Sequence, residues 1–409
     1  MADMLSVAEA SARMLATITT ARAERAPVLE CLGRVLAEDA AATEDNPPFD
    51  NSAMDGFAVR AADLADASEQ NAVTLPVIED IPAGIAPTQV VRAGAVSRIM
   101  TGAMLPEGAD AVVMVESTRP DGDNVAITEA PRLRQHIRPA GESVRVGDVV
   151  LRAGTMIQPA EMAMLASLNI PEPSVYRRPR VAVISTGDEL TPPGAPLEPG
   201  KIRDSNRYGL YGQIIEAGAE PVDLGIVSDD AADVEDRLRR AVEEADALVT
   251  SGGVSVGDYD VVKDVLLKLG TLDFWRVAMK PGKPQAFGQI EGKPVFALPG
   301  NPVSSMVVFE LFARPALLKM GGHARVRRQM VRALMDEEIA NDARGRANYM
   351  RVTLERRDGR LHARTTGTQG SGVLRSLVLA DGLAVIGDDG VPVGGEVDVI
   401  LTSAAPRSS

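Results

Sequence analysis

The chain has 409 residues, of which 45% are hydrophobic and 24% are charged, as expected for a globular protein with more than one domain. Its net charge of −14 and its aromatic content of only 3% argue against a protein that binds nucleic acid or anionic membranes. Cys31 is the only cysteine, which excludes an intrachain disulfide and a cysteine cluster for a metal. The first residues lack the pattern of a secretory signal, and no apolar run approaches the roughly 20 residues that cross a bilayer, so we expect a cytoplasmic protein.

The N-terminal 46 residues predict a helix followed by a break. Ser6-Val7-Ala8-Glu9 has the pattern of a capping box, which closes the first turn of a helix. Asn46-Pro47-Pro48 then interrupts regular structure. The apolar residues between them recur at helical spacing: Val7, Ala10, Met14, Leu15 and Ile18.

The next segment predicts a small β-rich domain. The turn-rich loop Phe49–Val59 contains Asp55, and Thr101 follows a predicted strand end; either residue could face a ligand. Each also has a plain structural interpretation, because Asp-Gly favours turns and a threonine at a strand end commonly caps one. The β-prone runs are Val73–Ile78, Val90–Met100, Ala111–Val115 and Asn124–Thr128.

From Arg180 onward the chain alternates between predicted strands and helices. This alternation is typical of a mostly parallel sheet, which binds its ligand outside the carboxyl ends of its strands. The predicted strands are Val181–Ser185, Pro221–Val227, Ala247–Val249, Phe274–Met279, Gln285–Gln289 and Pro294–Leu298. Predicted helices run from about Asn206 to Ala217 and from about Pro302 to Met320, and another is capped by Ser228–Asp230. A further helix is predicted after Asp258 and Asp260 from the apolar period of Val261, Val262, Val265, Leu266 and Leu269.

Polar and glycine-rich loops fall at these carboxyl ends. The loop after Ala247–Val249 has two adjacent glycines, whose backbone N–H groups can cradle a phosphate, although a plain strand-to-helix turn remains an alternative. Lys280 and Lys283 add two cations on a proline-rich turn. Together the loops predict one anion-binding cleft: Thr186–Glu189, Ser228–Asp230, Ser251–Asp260, Lys280–Lys283 and Pro299–Ser305.

The remainder of the chain predicts a compact β-barrel and a disordered tail at 405–409. Arg351 and the loop Gly367–Gly372 could reach the cleft, although a solvated basic edge is the plainer interpretation. The β-prone runs are Gln329–Leu334, Asn348–Glu355, Leu361–Thr365, Gly382–Ile386 and Glu396–Leu401.

Six motifs in order resemble the molybdopterin molybdenumtransferase family, which includes bacterial MoeA and the gephyrin E domain. Each motif alone is weak, whereas their order and spacing cover nearly the whole chain. They are Pro48–Gly56, Met100–Ala103, Ser185–Leu190, Thr250–Gly257, Lys280–Pro284 and Leu298–Ser304.

The resemblance implies a multidomain α/β plus β fold. It comprises a linker domain formed by 1–46 and 141–178, an inserted β-rich domain at 47–140, and a C-terminal β-barrel at 326–404. The central domain at 179–325 would be a three-layer α/β domain with a mostly parallel sheet, similar to that of adenylyltransferases. Family members are homodimers in which the inserted domain of one chain helps to build the cleft of the other.

The resemblance also implies a reaction: insertion of molybdate into the dithiolene of adenylylated molybdopterin, with release of AMP. Mg²⁺ or another divalent cation would assist, because phosphoryl chemistry needs its charge neutralised. The implied catalytic residues are Asp55, Thr101, Glu189, Asp229 and Asp260, and the metal ligands are Asp230, Asp258 and Asp260. The implied phosphate, pterin and molybdate contacts are Ser251, Gly252, Gly253, Ser255, Lys280, Lys283, Pro299, Pro302, Ser304, Arg351 and Ser371.

One departure keeps alternatives open. Ser143 stands in Gly141-Glu142-Ser143, where the family pattern has an acidic residue. A molybdopterin-binding sensor without turnover is therefore a competing hypothesis. Two others rest on different grounds: a molybdopterin adenylyltransferase, which would share the central fold, and a gephyrin-like scaffold, whose role would depend on its surface. A transient contact with a partner adenylyltransferase is also expected, whereas nucleic-acid and membrane partners are not.

Overall fold

The computed structural model describes residues 4–252, 261–340, 343 and 345–402. The described residues fall into two compact units. The β-rich unit comprises Arg25–Leu32 and Glu38–Pro173; the α/β–barrel unit comprises Met1–Glu24, Gly33–Ala37 and Ser174–Ser409. Within the described part of the chain, no helix has the length and apolar character to cross a membrane.

The β-rich unit is built on a six-stranded sheet. Buried apolar side chains from alternate strand positions, such as Val96, Val113 and Val125, form its core. One strand is shorter than predicted, because Ala95 N donates to Arg92 O and closes a turn in the run from Val90 to Met100. In spatial order the strands are Ala111–Met114, Gly56–Val59, Val96–Ile99, Val73–Ile81, Asn124–Ile127 and Thr118–Asp121.

Short elements complete the β-rich unit. A single α-helix, Pro159–Ser167, begins with proline at its first position as predicted, since proline lacks the N–H that a first turn leaves unpaired. The other elements are the 3₁₀ helices Val28–Glu30, Ala61–Leu64 and Val115–Ser117 and the strands Ala40–Ala41, Asn51–Ser52, Ile137–Arg138 and Val149–Leu151.

The α/β–barrel unit contains the central sheet. Its strands are β1 (Arg180–Thr186), β2 (Glu220–Val227), β3 (Ala247–Ser251), β4 (Thr271–Arg276), β5 (Pro284–Ile290) and β6 (Lys293–Leu298). The spatial order is β2-β1-β3-β6-β5-β4. In this order the first four strands are parallel, as expected for strands joined by helical crossovers, whereas β5 runs antiparallel to both of its neighbours, β6 and β4. Glu291-Gly292 reverses the chain between β5 and β6, with positive φ at both residues, as a two-residue hairpin turn requires.

Helices cover both faces of this sheet. They are α1 (Asn206–Glu216), α2 (Ala231–Glu244), α3 (Val261–Leu269), α4 (Pro302–Val308) and α5 (Arg314–Met320). One face packs against α1, α4, α5 and the N-terminal helix Val7–Thr17, whose predicted capping box is present. The other face packs against α2 and α3, so the three-layer prediction is confirmed.

The predicted helix from Pro302 to Met320 is interrupted. A π-helical segment, Phe309–Ala313, separates α4 from α5. It places Glu310 in the interior, where Arg328 pairs with it at 2.8 Å. Helical periodicity in the sequence does not distinguish this change in hydrogen bonding from a continuous α-helix.

Five further strands close into a barrel, which confirms the predicted C-terminal architecture. They are β7 (Met330–Met335), β8 (Ala347–Arg357), β9 (Arg360–Thr365), β10 (Gly382–Ile386) and β11 (Glu396–Leu401). The pairing runs β8-β9-β7-β11-β10 and returns to β8. The remaining elements are the helix Arg375–Val378 and the strands Ala23–Arg25, Ser174–Tyr176, Leu190–Thr191, Ile202–Arg203 and Met279–Lys280.

Candidate active site

A cavity of about 820 Å³ opens at the carboxyl ends of β1, β3 and β6. The chain leaves β1 toward β2 on one side, whereas β3 and β6 lie on the other, so this edge is a topological switch point, where open α/β sheets bind ligands. The described lining comprises Ser185, Thr186, Gly187, Glu189, Leu190, Ile202, Arg203, Asp204, Ser205, Asn206, Asp229, Ser251, Gly252, Val261, Val262, Pro299, Gly300, Asn301, Pro302 and Gly372.

Gly252 allows the ends of β1, β3 and β6 to approach closely. Its φ of +96° lies in the region that glycine tolerates best, and its N–H donates to Leu298 O at 3.0 Å. A Cβ at this position would lie only 2.8 Å from Thr186 Oγ1. No larger residue could therefore keep this loop geometry without displacing its neighbour.

Asn206 connects two loops of the cavity. Its Nδ2 lies 2.7 Å from Ser251 Oγ and 2.7 Å from the Gly300 carbonyl oxygen. Ser251 ends β3 and Gly300 follows β6, so one amide holds the ends of adjacent strands.

A buried ion pair supports the N-terminus of α1. Asp204 accepts hydrogen bonds from Ser185 Oγ at 2.9 Å and from Arg207 Nε at 2.8 Å. Burial opposes the charge of Arg207, but hydrogen bonds from its guanidinium to Asp204 and Asp223 outweigh this effect and raise its pKa. The pairing fixes the end of β1 relative to α1.

Carboxylates line the opposite side of the cavity. Asp229 N donates to Asp188 Oδ1 at 3.2 Å and Asp188 N to Asp229 Oδ2 at 3.4 Å, which ties together the loops after β1 and β2. Glu189 and Asp229 both line the cavity. Asp230 does not belong to the described lining; instead its Oδ1 caps α2 by accepting from Ala232 N at 2.9 Å and Asp233 N at 3.1 Å.

Asp229 and Glu189 supply carboxylate oxygens to the cavity, the donors that hard divalent cations prefer. No group of three metal-ligating side chains occurs among the described residues. Mg²⁺, however, usually takes only one or two carboxylates and completes its shell with phosphates and water. Asp229 and Glu189 meet that requirement, whereas Asp258 and Asp260 lie outside the described residues.

The predicted cations lie apart from the described lining. Lys283 is exposed, and Lys280 belongs to the short strand that pairs with β8 at Asn348. Arg351 is only 1% exposed, and its guanidinium donates to Ser376 Oγ at 3.1 Å and to two backbone carbonyls. Burial lowers the pKa of Arg351 to about 10. The solvated basic edge considered for Arg351 is therefore wrong.

The loop that contains Ser371 does reach the cavity. Gly372 belongs to the lining, and the Ser371 carbonyl accepts a hydrogen bond from Val303 N, at the start of α4, at 3.0 Å. Ser304, in the same turn of α4, is only 5% exposed. Among the predicted contacts, Pro299 and Pro302 line the cavity directly, and Gly253 and Ser255 lie outside the described residues.

The β-rich unit carries a second group of predicted site residues. Thr101 donates to Asp55 Oδ1 from both its N–H and its hydroxyl, each at 2.7 Å. These hydrogen bonds hold the pKa of Asp55 below its usual range. The two residues predicted from separate motifs are thus direct partners, 46 positions apart in the chain.

Comparisons with known proteins match this chain along most of its length. The profile of the MoeA N-terminal region (domain I and II) matches residues 5–169. The profile of a probable molybdopterin binding domain matches 182–319, and that of the MoeA C-terminal region (domain IV) matches 332–402. The chain belongs to the MoeA family.

Comparisons with individual proteins support membership of the MoeA family. Molybdopterin molybdenumtransferase 2 of Mycobacterium tuberculosis is 42% identical over 376 residues, covering 90% of this chain and 91% of the relative. The molybdopterin molybdenumtransferase of Haemophilus influenzae is 38% identical, with 94% of each chain covered. The crystal structure of the molybdopterin biosynthesis MoeA protein of Pyrococcus horikoshii OT3 is 34% identical, has a TM-score of 0.80, and covers 98% of this chain and all of that one.

The structure brings together six of the predicted MoeA site residues in the cavity: Glu189, Asp229, Ser251, Gly252, Pro299 and Pro302. Asn206 and Asp204 were missed as site residues, since Asn206 was interpreted only as the start of a helix. The available signal was the polar run Asp204-Ser205-Asn206 in the crossover that follows β1.

Proposed function

We propose that this MoeA family member inserts molybdate into the dithiolene of adenylylated molybdopterin and releases AMP. The observation that carries the proposal is the cavity of about 820 Å³ at the switch point of the central sheet. It is large enough for a nucleotide-sized ligand, and its lining combines hydroxyls, backbone N–H groups and carboxylates. All of its described lining except Gly372 also lies in the region matched by the profile of a probable molybdopterin binding domain.

The glycine-rich end of β3 is the proposed phosphate site. Ser251 supplies a hydroxyl, and Gly252, which has no room for a side chain beside Thr186, keeps its backbone in the cavity lining, as a phosphate-binding loop requires. We assign the same role to Gly253 and Ser255, which follow directly in the sequence. Pro299, Pro302 and Ser304 would shape the pterin side, at the start of α4.

Molybdate, a tetrahedral dianion, requires cations and hydroxyls. We propose Lys280, Lys283, Arg351 and Ser371 for this role. Ser371 lies next to Gly372 of the cavity lining, and Arg351 donates to the carbonyl of Gly370 in the same loop. The loop therefore contacts both the buried guanidinium of Arg351 and the cavity.

The acidic side would hold Mg²⁺ and thereby neutralise charge on the phosphoryl groups. Asp229 and Glu189 are the described candidates, and Asp258 and Asp260 complete the proposed set. Asp230 is the weaker candidate of its pair, because its Oδ1 already accepts two backbone N–H groups.

We further propose that the chain acts in the cytoplasm as a homodimer, in which the Asp55–Thr101 pair of one protomer serves the cavity of the other. A single cysteine suits a reducing compartment, since no disulfide stabilises the chain. A transient contact with the adenylyltransferase that supplies the substrate would complete the pathway step.

Reconstitution tests this function. The purified chain, adenylylated molybdopterin, molybdate and Mg²⁺ are incubated with an apo-molybdoenzyme, whose recovered activity is measured. Lys283→Ala should lower the recovery, with Lys268→Ala, a lysine on α3 paired with Glu235, as the control. If molybdate-dependent recovery does not exceed that without the protein, although the substrate binds, a sensor without turnover is favoured.

A further inference from the structure

The polarity of the Asn206 amide is fixed by its surroundings. The Gly300 carbonyl oxygen can only accept a hydrogen bond, so the group 2.7 Å from it must be the NH₂ end of the side chain. The same NH₂ group faces Ser251 Oγ at 2.7 Å. Ser251 therefore accepts from Asn206, and its own hydroxyl proton is available to a further acceptor.

Asn206 is placed to act through Ser251 and not on the ligand itself. Its Oδ1 is buried, and none of the described residues donates a hydrogen bond to it. An acceptor without a donor opposes stability, so the contribution of this side chain lies in the two bonds made by its NH₂ group. Ser251, by contrast, lines the cavity although the residue is only 3% exposed.

We propose that Asn206 is a positioning residue that makes Ser251 a hydrogen-bond donor to a phosphoryl oxygen of the bound nucleotide. The inference rests on the proposed function, because it takes the cavity to hold a phosphate-bearing ligand. An anionic oxygen is the acceptor that gains most from an oriented hydroxyl proton, and Ser251, only 3% exposed, has little competing contact with water. The hydrogen bond from Asn206 to the Gly300 carbonyl also holds the loop after β6 beside Ser251.

Two probes separate this role from general support of the fold. The affinities of AMP and of adenosine, which lacks the phosphate, are measured by calorimetry for the wild-type chain, Asn206→Leu, Asn206→Asp, Ser251→Ala and the double variant Asn206→Leu/Ser251→Ala. Asn71→Leu is the control, because Asn71 also donates to a backbone carbonyl, that of Asp66, but lies in the β-rich unit. Unfolding midpoints verify that each variant is folded.

We expect Asn206→Leu to lower the affinity for AMP by about tenfold or more, which is the contribution of a hydrogen bond to a charged group. The affinity for adenosine should be nearly unchanged. In the Ser251→Ala background the same substitution should have little further effect on AMP. Asn206→Asp, whose carboxylate would accept the Ser251 proton, should weaken AMP more than Asn206→Leu does. Because aspartate has nearly the same shape as asparagine, Asn206→Asp tests the role of Asn206 even if Asn206→Leu does not fold.

Equal losses for AMP and adenosine, or additive effects of the two substitutions, would overturn the proposal, as would a wild-type chain that binds no AMP. The molybdenum-insertion function can fail independently: a wild-type chain that binds AMP but inserts no metal would refute that function, while the AMP affinities would still decide the role of Asn206.

Discussion

Pairs of hydrogen bonds from a threonine lower the pKa of two carboxylates in the β-rich unit. Asp55 receives two hydrogen bonds from Thr101, and Glu79 receives an equivalent pair from the N–H and hydroxyl of Thr88. Both carboxylates have lowered pKa values for this reason. The Thr101 hydrogen bonds thus favour the ionised form of Asp55, which is the form that accepts hydrogen bonds.

We predict that Thr101→Val raises the pKa of Asp55 toward its ordinary value, because one of its two strongest hydrogen bonds is lost. A carboxylate with a lowered folded-state pKa contributes stability that is present above the unfolded pKa and lost as pH falls through the folded pKa. The variant loses part of that contribution, so its acid unfolding should begin at higher pH. Carboxyl-carbon NMR titration measures the pKa directly.

Thr88→Val is the matched control for this prediction. It should raise the pKa of Glu79 and leave that of Asp55 unchanged, since the two pairs share no residue. If the Asp55 titration is the same in Thr101→Val and in the wild-type chain, the hydrogen-bond account of this site is wrong.

At the scale of elements, local patterns in the sequence were reliable. The barrel strands Gly382–Ile386 and Glu396–Leu401 begin and end at the predicted residues, and helix α3, Val261–Leu269, contains the predicted apolar period. Such bounds follow from an apolar run or period and from the turn formers beside it, which are properties of neighbouring residues. The π-helical segment and the shortened strand Val96–Ile99 were not predictable in this way, because both depend on which backbone acceptor each N–H selects.

Two adjacent carboxylates at the start of α2, Asp229 and Asp230, have different roles in the structure, and the sequence alone could not show which of them belongs to the site. We predict that Asp230→Ala lowers the free energy of unfolding by about 0.5–2 kcal/mol, as expected for a lost N-cap, and leaves AMP release nearly intact. Asp229→Asn should have the opposite effects. The free energy of unfolding should change little, whereas AMP release should fall about tenfold or more because the cavity loses a charged ligand.

Urea unfolding and AMP release, both measured on the two variants, verify this assignment. A matched pair of substitutions at neighbouring positions controls for general damage to the loop. Loss of activity in Asp230→Ala at unchanged stability would reverse the assignment and return Asp230 to the proposed metal site.

At the scale of the whole molecule, the sequence indicated the site's region but not its assembly. The loops at the carboxyl ends were predictable, because alternating strands and helices form parallel sheets with a common binding edge. The contacts of Asn206 were not, since its partners Ser251 and Gly300 lie 45 and 94 positions away. The buried state of Arg351 depends in the same way on closure of the barrel through the pairing of β8 with β10.

The central claim, that this cavity releases AMP as it inserts molybdate, is tested most directly by single-turnover AMP release from adenylylated molybdopterin. The reaction is run with and without molybdate, and with and without Mg²⁺, using the wild-type chain and Asp229→Asn. The account predicts rapid release only when protein, molybdate and Mg²⁺ are all present, and slow release by the variant. Release that is equally fast without molybdate, or unaffected by Asp229→Asn, would contradict it.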